Sequence, residues 1–115
     1  MPDSPINLAT FKDLQDTAGA EFVLELVDTF CEEAPQMLKD LRTALAAGEA
    51  DAFRRAAHSL KSNSHTFGAD KLGEMARALE LGSFDAAVAG GTSALDALQH
   101  EYARVAAALK RLRDA

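Results

Sequence analysis

A chain of 115 residues has the length of one domain and leaves no room for two ordinary cores. Hydrophobic residues make up 48% of it, enough for a packed interior, but no run approaches the roughly 18 consecutive apolar residues of a membrane span. A net charge of −6 makes the phosphates of nucleic acid and an anionic membrane surface poor partners.

The apolar share is mostly 24 Ala and 15 Leu, against four Val and one Ile, a helix-forming composition that argues against a sheet. The single Cys31 excludes an internal disulfide framework and fits a reducing compartment. Met1-Pro2-Asp3-Ser4-Pro5 has neither a basic nor an apolar leader region, so a cytoplasmic, all-helical domain is expected.

Residues 1–6, with Pro2 and Pro5, read as a flexible N-terminal tail, and 7–115 as one domain. Asn7 can cap a short helix carrying Leu8, Phe11, Leu14 and Ala18 on one side, which Gly19 ends. A second helix is predicted from Ala20 to Ala47. Its apolar positions, from Val23 through Phe30 and Leu38 to Leu45, recur at steps of three and four. The pattern stays in phase across Pro35, which predicts one kinked helix and not two. Gly48 closes it.

Asp51 is the expected cap of a third helix with the stripe Phe53, Ala57, Leu60, Ser64 and Phe67. Gly68 then forms the turn, and Asp70 is the expected cap of a fourth helix with Leu72, Met75, Ala76 and Leu79 inward. After Gly82, Ser83 to Ala89 can add a turn or two before Gly90-Gly91. A last helix starts at Thr92 or Ser93 and carries Leu95, Leu98, Tyr102, Val105, Leu109 and Leu112. Four amphipathic helices with short connections predict an all-α, antiparallel up-down-up-down four-helix bundle, with the short first helix capping one end. Met1 and a complete bundle favour a free-standing protein, and a monomer is expected because one bundle buries all four stripes.

The third helix carries the residues of interest. Measured from its apolar stripe, Lys61 falls about 80° away, Arg54 about 100°, His65 about 120°, His58 about 140° and Ser62 about 180°. His58 therefore faces water, with cations one turn away on either side and a small residue at 62. If the hairpin turns about Ala69, His58 lies eleven residues before it and Glu80 eleven after, so the two sit at one height. Glu80 lies about 90° from its own stripe, at the core boundary. A carboxylate there can accept from one imidazole nitrogen, expected to be Nδ1, and leave Nε2 as a nucleophile. Lys61 is placed to offset phosphoryl charge on that nitrogen. The same wheel is compatible with an ordinary surface histidine, a solvated lysine, and a Glu80 paired with Arg77 or Arg54.

The run His58-Ser59-Leu60-Lys61-Ser62-Asn63-Ser64-His65-Thr66-Phe67-Gly68-Ala69 resembles the signature of histidine-containing phosphotransfer (HPt) domains, roughly His-x-Leu-Lys-small-small-Ser-x-x-apolar-Gly-Ala. Phe30-Cys31-Glu32-Glu33-Ala34-Pro35, followed by Met37-Leu38 and Gly48, is also similar to that family, and the resemblance covers residues 7–113. Ser62 stands where glycine is most frequent and Asn63 where a small residue is usual.

The resemblance implies a phosphocarrier in a two-component phosphorelay. His58 would take a phosphoryl group from one receiver-domain aspartate and pass it to another. Lys61 would neutralise phosphate charge, Glu80 would orient the imidazole, Ser62 would permit close docking, and Gly68 would make the turn. Partners would be response-regulator receivers or the receiver of a hybrid histidine kinase. The domain would have no cofactor of its own, since Mg²⁺ would belong to the receiver.

Docking is expected around His58, with Arg54, Ser62 and His65. Phe11 and Leu14 are apolar candidates for it, although core packing is the favoured use of both. His65 reads as a surface residue near that face in preference to a second phosphorylation site. No Gly-rich phosphate loop is found, so ATP binding and autonomous catalysis are not supported. A receiver-binding adaptor that accepts no phosphate is the alternative. A metal-binding bundle is weaker: no Glu-x-x-His occurs, and His58 and His65 lie about 10 Å apart along the axis. A hydrolase using Ser59 or Ser62 lacks a nucleophile turn.

Overall fold

The computed structural model describes residues 4–114, and every regular element among them is helical. The six helices are α1 (Leu8–Ala18), α2 (Ala20–Ala47), α3 (Ala50–Thr66), α4 (Asp70–Leu81), α5 (Phe84–Ala89) and α6 (Ser93–Asp114). They form an elongated bundle of 41 × 26 × 19 Å. Among the described residues, no helix is long and apolar enough to cross a membrane.

The periodic stripes are the interior. Val23, Val27, Phe30 and Leu41 of α2 meet Phe53, Ala57 and Leu60 of α3, Leu72 and Ala76 of α4, and Leu98, Val105 and Leu109 of α6 in one continuous buried cluster. Aromatic rings tie the layers together, Phe30 against Phe67 at 5.4 Å and Phe53 against Phe84 at the same separation. Each ring pair adds contact energy beyond its buried area.

The ends of the helices follow local chemistry. Asn7 Oδ1 accepts from the backbone N–H groups of Ala9 and Thr10, satisfying two donors that the first turn of α1 cannot pair internally. At the end of α2, Gly48 takes the left-handed conformation that a side chain would oppose. The expected caps Asp51 and Asp70 are displaced. Glu49 and Ala69 hold the cap positions without side-chain hydrogen bonds, and the two aspartates sit in the first turns, where a negative charge still favours the helix dipole.

α2 runs unbroken through Pro35. Proline lacks the N–H that would bond to the carbonyl four residues earlier, that of Cys31. The Tyr102 hydroxyl of α6 donates to that oxygen at 3.3 Å.

Residues 1–3 of the expected tail lie outside the described residues. Ile6, assigned to that tail because prolines precede it, is in fact 2% exposed. It is held down because Asn7 N–H donates to Gly68 O at 2.8 Å, laying the segment before α1 over the α3–α4 turn. Gly68 has φ 81°, and a Cβ there would stand 2.8 Å from Asn7 O, so both the turn and the crossing need glycine. Leu8, expected on the apolar side of α1, points to solvent instead.

Candidate functional site

The α3–α4 hairpin builds the site. Three residues, 67–69, join the helices, so positions at similar distances from the turn face each other. His58 on α3 and Glu80 on α4 are such a pair, with Nδ1 and Oε2 2.6 Å apart. Lys61, one turn along α3, donates from Nζ to the other oxygen, Oε1, at 2.7 Å. One carboxylate therefore bridges two side chains of the facing helix. The imidazole is 58% exposed, whereas Lys61 and Glu80 side chains are 23% and 17% exposed.

Lys61 holds the Glu80 carboxyl below the usual carboxylate range, with burial opposing and His58 adding to the effect. An ionised carboxylate can only accept hydrogen bonds, so Nδ1 carries the proton and donates. In the neutral ring Nε2 then holds the lone pair, and it has no hydrogen-bond partner among the described residues. The result is an exposed imidazole with a fixed tautomer and a free nucleophilic nitrogen.

Ser62 is exposed on the turn after His58 and presents only a small side chain there. Arg54 is on the turn before it, 3.6 Å from Asp51. A cleft of about 340 Å³ next to the imidazole is lined by Arg54, Arg55, His58, Ser59 and Glu80.

His65 lies apart from this group. Its ring rests on α4 at Gly73, where a Cβ would stand 2.6 Å from Nε2. Its Nδ1 and Nε2 face Asp70 and Glu74 at 3.5 and 3.4 Å. The two histidines thus turn toward different carboxylates and do not converge. Among the described residues no group of three or more His, Cys, Asp or Glu could hold a metal ion.

Phe11 requires a correction: at 4% exposure it is a core residue and offers nothing to a docking partner. Leu14 is half-buried against the same core. Sequence reasoning did not single out Arg55, Gly73 or the Tyr102 hydroxyl. The available signals were the i−3 spacing of Arg55 from His58, a glycine inside a helix, and the carbonyl that Pro35 deprives of its donor.

Comparison with known proteins is consistent with this geometry. The family model described as Hpt domain matches residues 25–115, from within α2 to the end of the chain. No curated protein and no solved structure matches. With most of its length covered, including both helices that carry His58, Lys61 and Glu80, the chain belongs to the Hpt domain family.

Proposed function

We propose that this chain is a phosphocarrier of a two-component phosphorelay and that Nε2 of His58 carries the phosphoryl group. Hpt domains act in such relays and interact with response-regulator receiver domains. The observation that carries the residue assignment is the 2.6 Å contact of Nδ1 with Glu80 beneath a largely exposed ring.

The transfer balances without an added reactant. The Nε2 lone pair attacks phosphorus, and the P–O bond of the partner's aspartyl phosphate breaks with its electron pair on the aspartate carboxylate. The ring becomes positive with its proton still on Nδ1, where ionised Glu80 faces it. In the reverse step a second receiver's aspartate attacks phosphorus, and the N–P electron pair returns to Nε2. Glu80 orients the ring in both directions, and a pre-positioned nucleophile lowers the entropic part of the barrier. Lys61 holds the second oxygen of Glu80 and lowers its carboxyl further. Ser62 leaves room for the receiver to approach, and Arg54 and His65 lie along the face it would cover. Any divalent cation belongs to the receiver.

The reading extends to an up-down-up-down arrangement of α2, α3, α4 and α6, to a monomer, and to the cytoplasm, where receivers act. The test is incubation with a phosphorylated receiver and detection of acid-labile label. Wild type should be labelled, and His58→Gln should fold normally and take up none. Label on the variant would overturn the assignment. Receiver binding by both proteins with labelling of neither would instead support the adaptor.

A further inference from the structure

The cation nearest in sequence to the expected phosphate role is already engaged. Lys61 Nζ is bonded to Glu80 Oε1 at 2.7 Å, and its side chain is mostly buried. Moving it to a phosphoryl group would break that bond to Glu80. A second cation beside the imidazole would add to what Lys61 can offer from that position.

Side chains on a helix lean toward its N-terminus. The ring of His58 therefore overlies the preceding turn, which carries Arg54 and Arg55, and these residues line the same cleft as His58, Ser59 and Glu80. The Arg54 guanidinium faces Asp51 at 3.6 Å. Arg55 has no ion pair or side-chain hydrogen bond among the described residues, in a chain whose net charge is −6. An unengaged cation beside an exposed imidazole is available for an anion arriving there.

We propose that Arg55 contacts the phosphoryl group carried by His58, adding a second neutralising cation on the side of the imidazole away from Lys61. This rests on the phosphocarrier reading above. The guanidinium is a planar fork of donors that matches phosphoryl oxygens two at a time, which an ammonium cannot do. When the P–O bond of the donor breaks and the N–P bond forms, negative oxygens are set beside the ionised carboxylate of Glu80. Arg55 on the cleft wall offsets that repulsion in the product as well as in transit.

The experiment compares wild type, Arg55→Gln and Arg55→Lys in two assays. One is labelling by phosphoramidate with no partner present, followed by decay of the phosphohistidine. The other is transfer to a receiver at saturation. Arg55→Gln should shorten the phosphohistidine lifetime about threefold and lower kcat about tenfold, with Arg55→Lys recovering part of each. The ¹⁵N signals of His58 should be unchanged, separating charge contact from a shift of the hairpin.

Unchanged lifetime and kcat would overturn the proposal, and so would a change confined to KM, which would place Arg55 against the partner's own surface. In either case, label on wild type and none on His58→Gln leaves the phosphocarrier reading standing. Absence of label on wild type from any donor would overturn both.

Discussion

The hydroxyl of Tyr102 donates to the carbonyl oxygen of Cys31, the one oxygen in α2 that Pro35 leaves without its helical donor. A defect in one helix is thus repaired by a side chain of another, and the repair pins α6 to α2. Tyr102→Phe should cost about 1 kcal/mol, the typical net worth of one hydrogen bond. In a Pro35→Ala background the backbone N–H regained at position 35 restores the helical bond, and the same Tyr102→Phe change should cost far less. Urea denaturation of the four proteins measures the coupling. Additive costs would show that the two residues act independently.

The same contact sets an alkaline limit. Burial, followed by the nearby Cys31 thiol and their hydrogen bond, pushes the Tyr102 phenol up to about 12. Burial also pushes the Cys31 thiol up. A raised native value means the folded state keeps its proton where the unfolded chain, at about 10, has lost it. Stability from this group is complete below about pH 10 and is lost as pH rises toward about 12. Tyr102 is the only tyrosine and there is no tryptophan, so the absorbance of ionised tyrosine reports it alone. A native midpoint near the ordinary value of about 10 would refute the burial argument.

Helix existence was legible because Ala and Leu recur in phase and glycines punctuate the chain at 19, 48, 68 and 82. The register of Glu80 opposite His58 was legible for a related reason: a short turn and a fixed rise per residue leave little freedom in an antiparallel pair. What a helical wheel cannot resolve is which acceptor a long flexible side chain selects. It placed Lys61 correctly on α3 and missed that its ammonium reaches across to Glu80. Ile6 was obscured by the flanking Pro5. Its burial depends on a backbone bond between Asn7 and Gly68, far apart in sequence, which no local pattern encodes.

Lys61→Ala should act through Glu80 and leave the fold intact. Removing the largest influence that lowers the Glu80 carboxyl raises it toward the ordinary range. Glu80 contributes to stability above the unfolded carboxyl range and loses that contribution as pH falls through its depressed native value. In Lys61→Ala that contribution should be smaller and its loss complete at a higher pH, and the acid limb of phosphotransfer should move up with it. Transfer rates measured from the carboxylate range up to neutrality test this. Superimposable profiles would remove Lys61 from the mechanism.

Glu80→Gln separates charge from orientation. The amide can still accept from Nδ1 through its oxygen, so the ring should keep its tautomer, but it cannot offset the positive ring that phosphorylation of His58 would create. The expected outcome is unchanged ¹⁵N evidence of protonated Nδ1 with transfer slowed about tenfold, which corresponds to about 1.4 kcal/mol of lost charge assistance. Glu80→Ala should lose the fixed tautomer as well. Equal rates for wild type and Glu80→Gln would show that orientation alone suffices.

Gly73 offers a test of the lower hairpin that does not touch His58. Glycine inside a helix costs about 1 kcal/mol relative to alanine, so Gly73→Ala should stabilise α4 on propensity alone. The added Cβ would stand 2.6 Å from His65 Nε2 and must drive the ring toward solvent, away from Asp70 and Glu74. The two effects oppose each other, and the single variant should gain little. With His65→Ala the obstruction is gone, and Gly73→Ala in that background should raise stability by about 1 kcal/mol. If alanine gains equally with and without the imidazole, His65 does not rest on α4 and the glycine is not there to admit it.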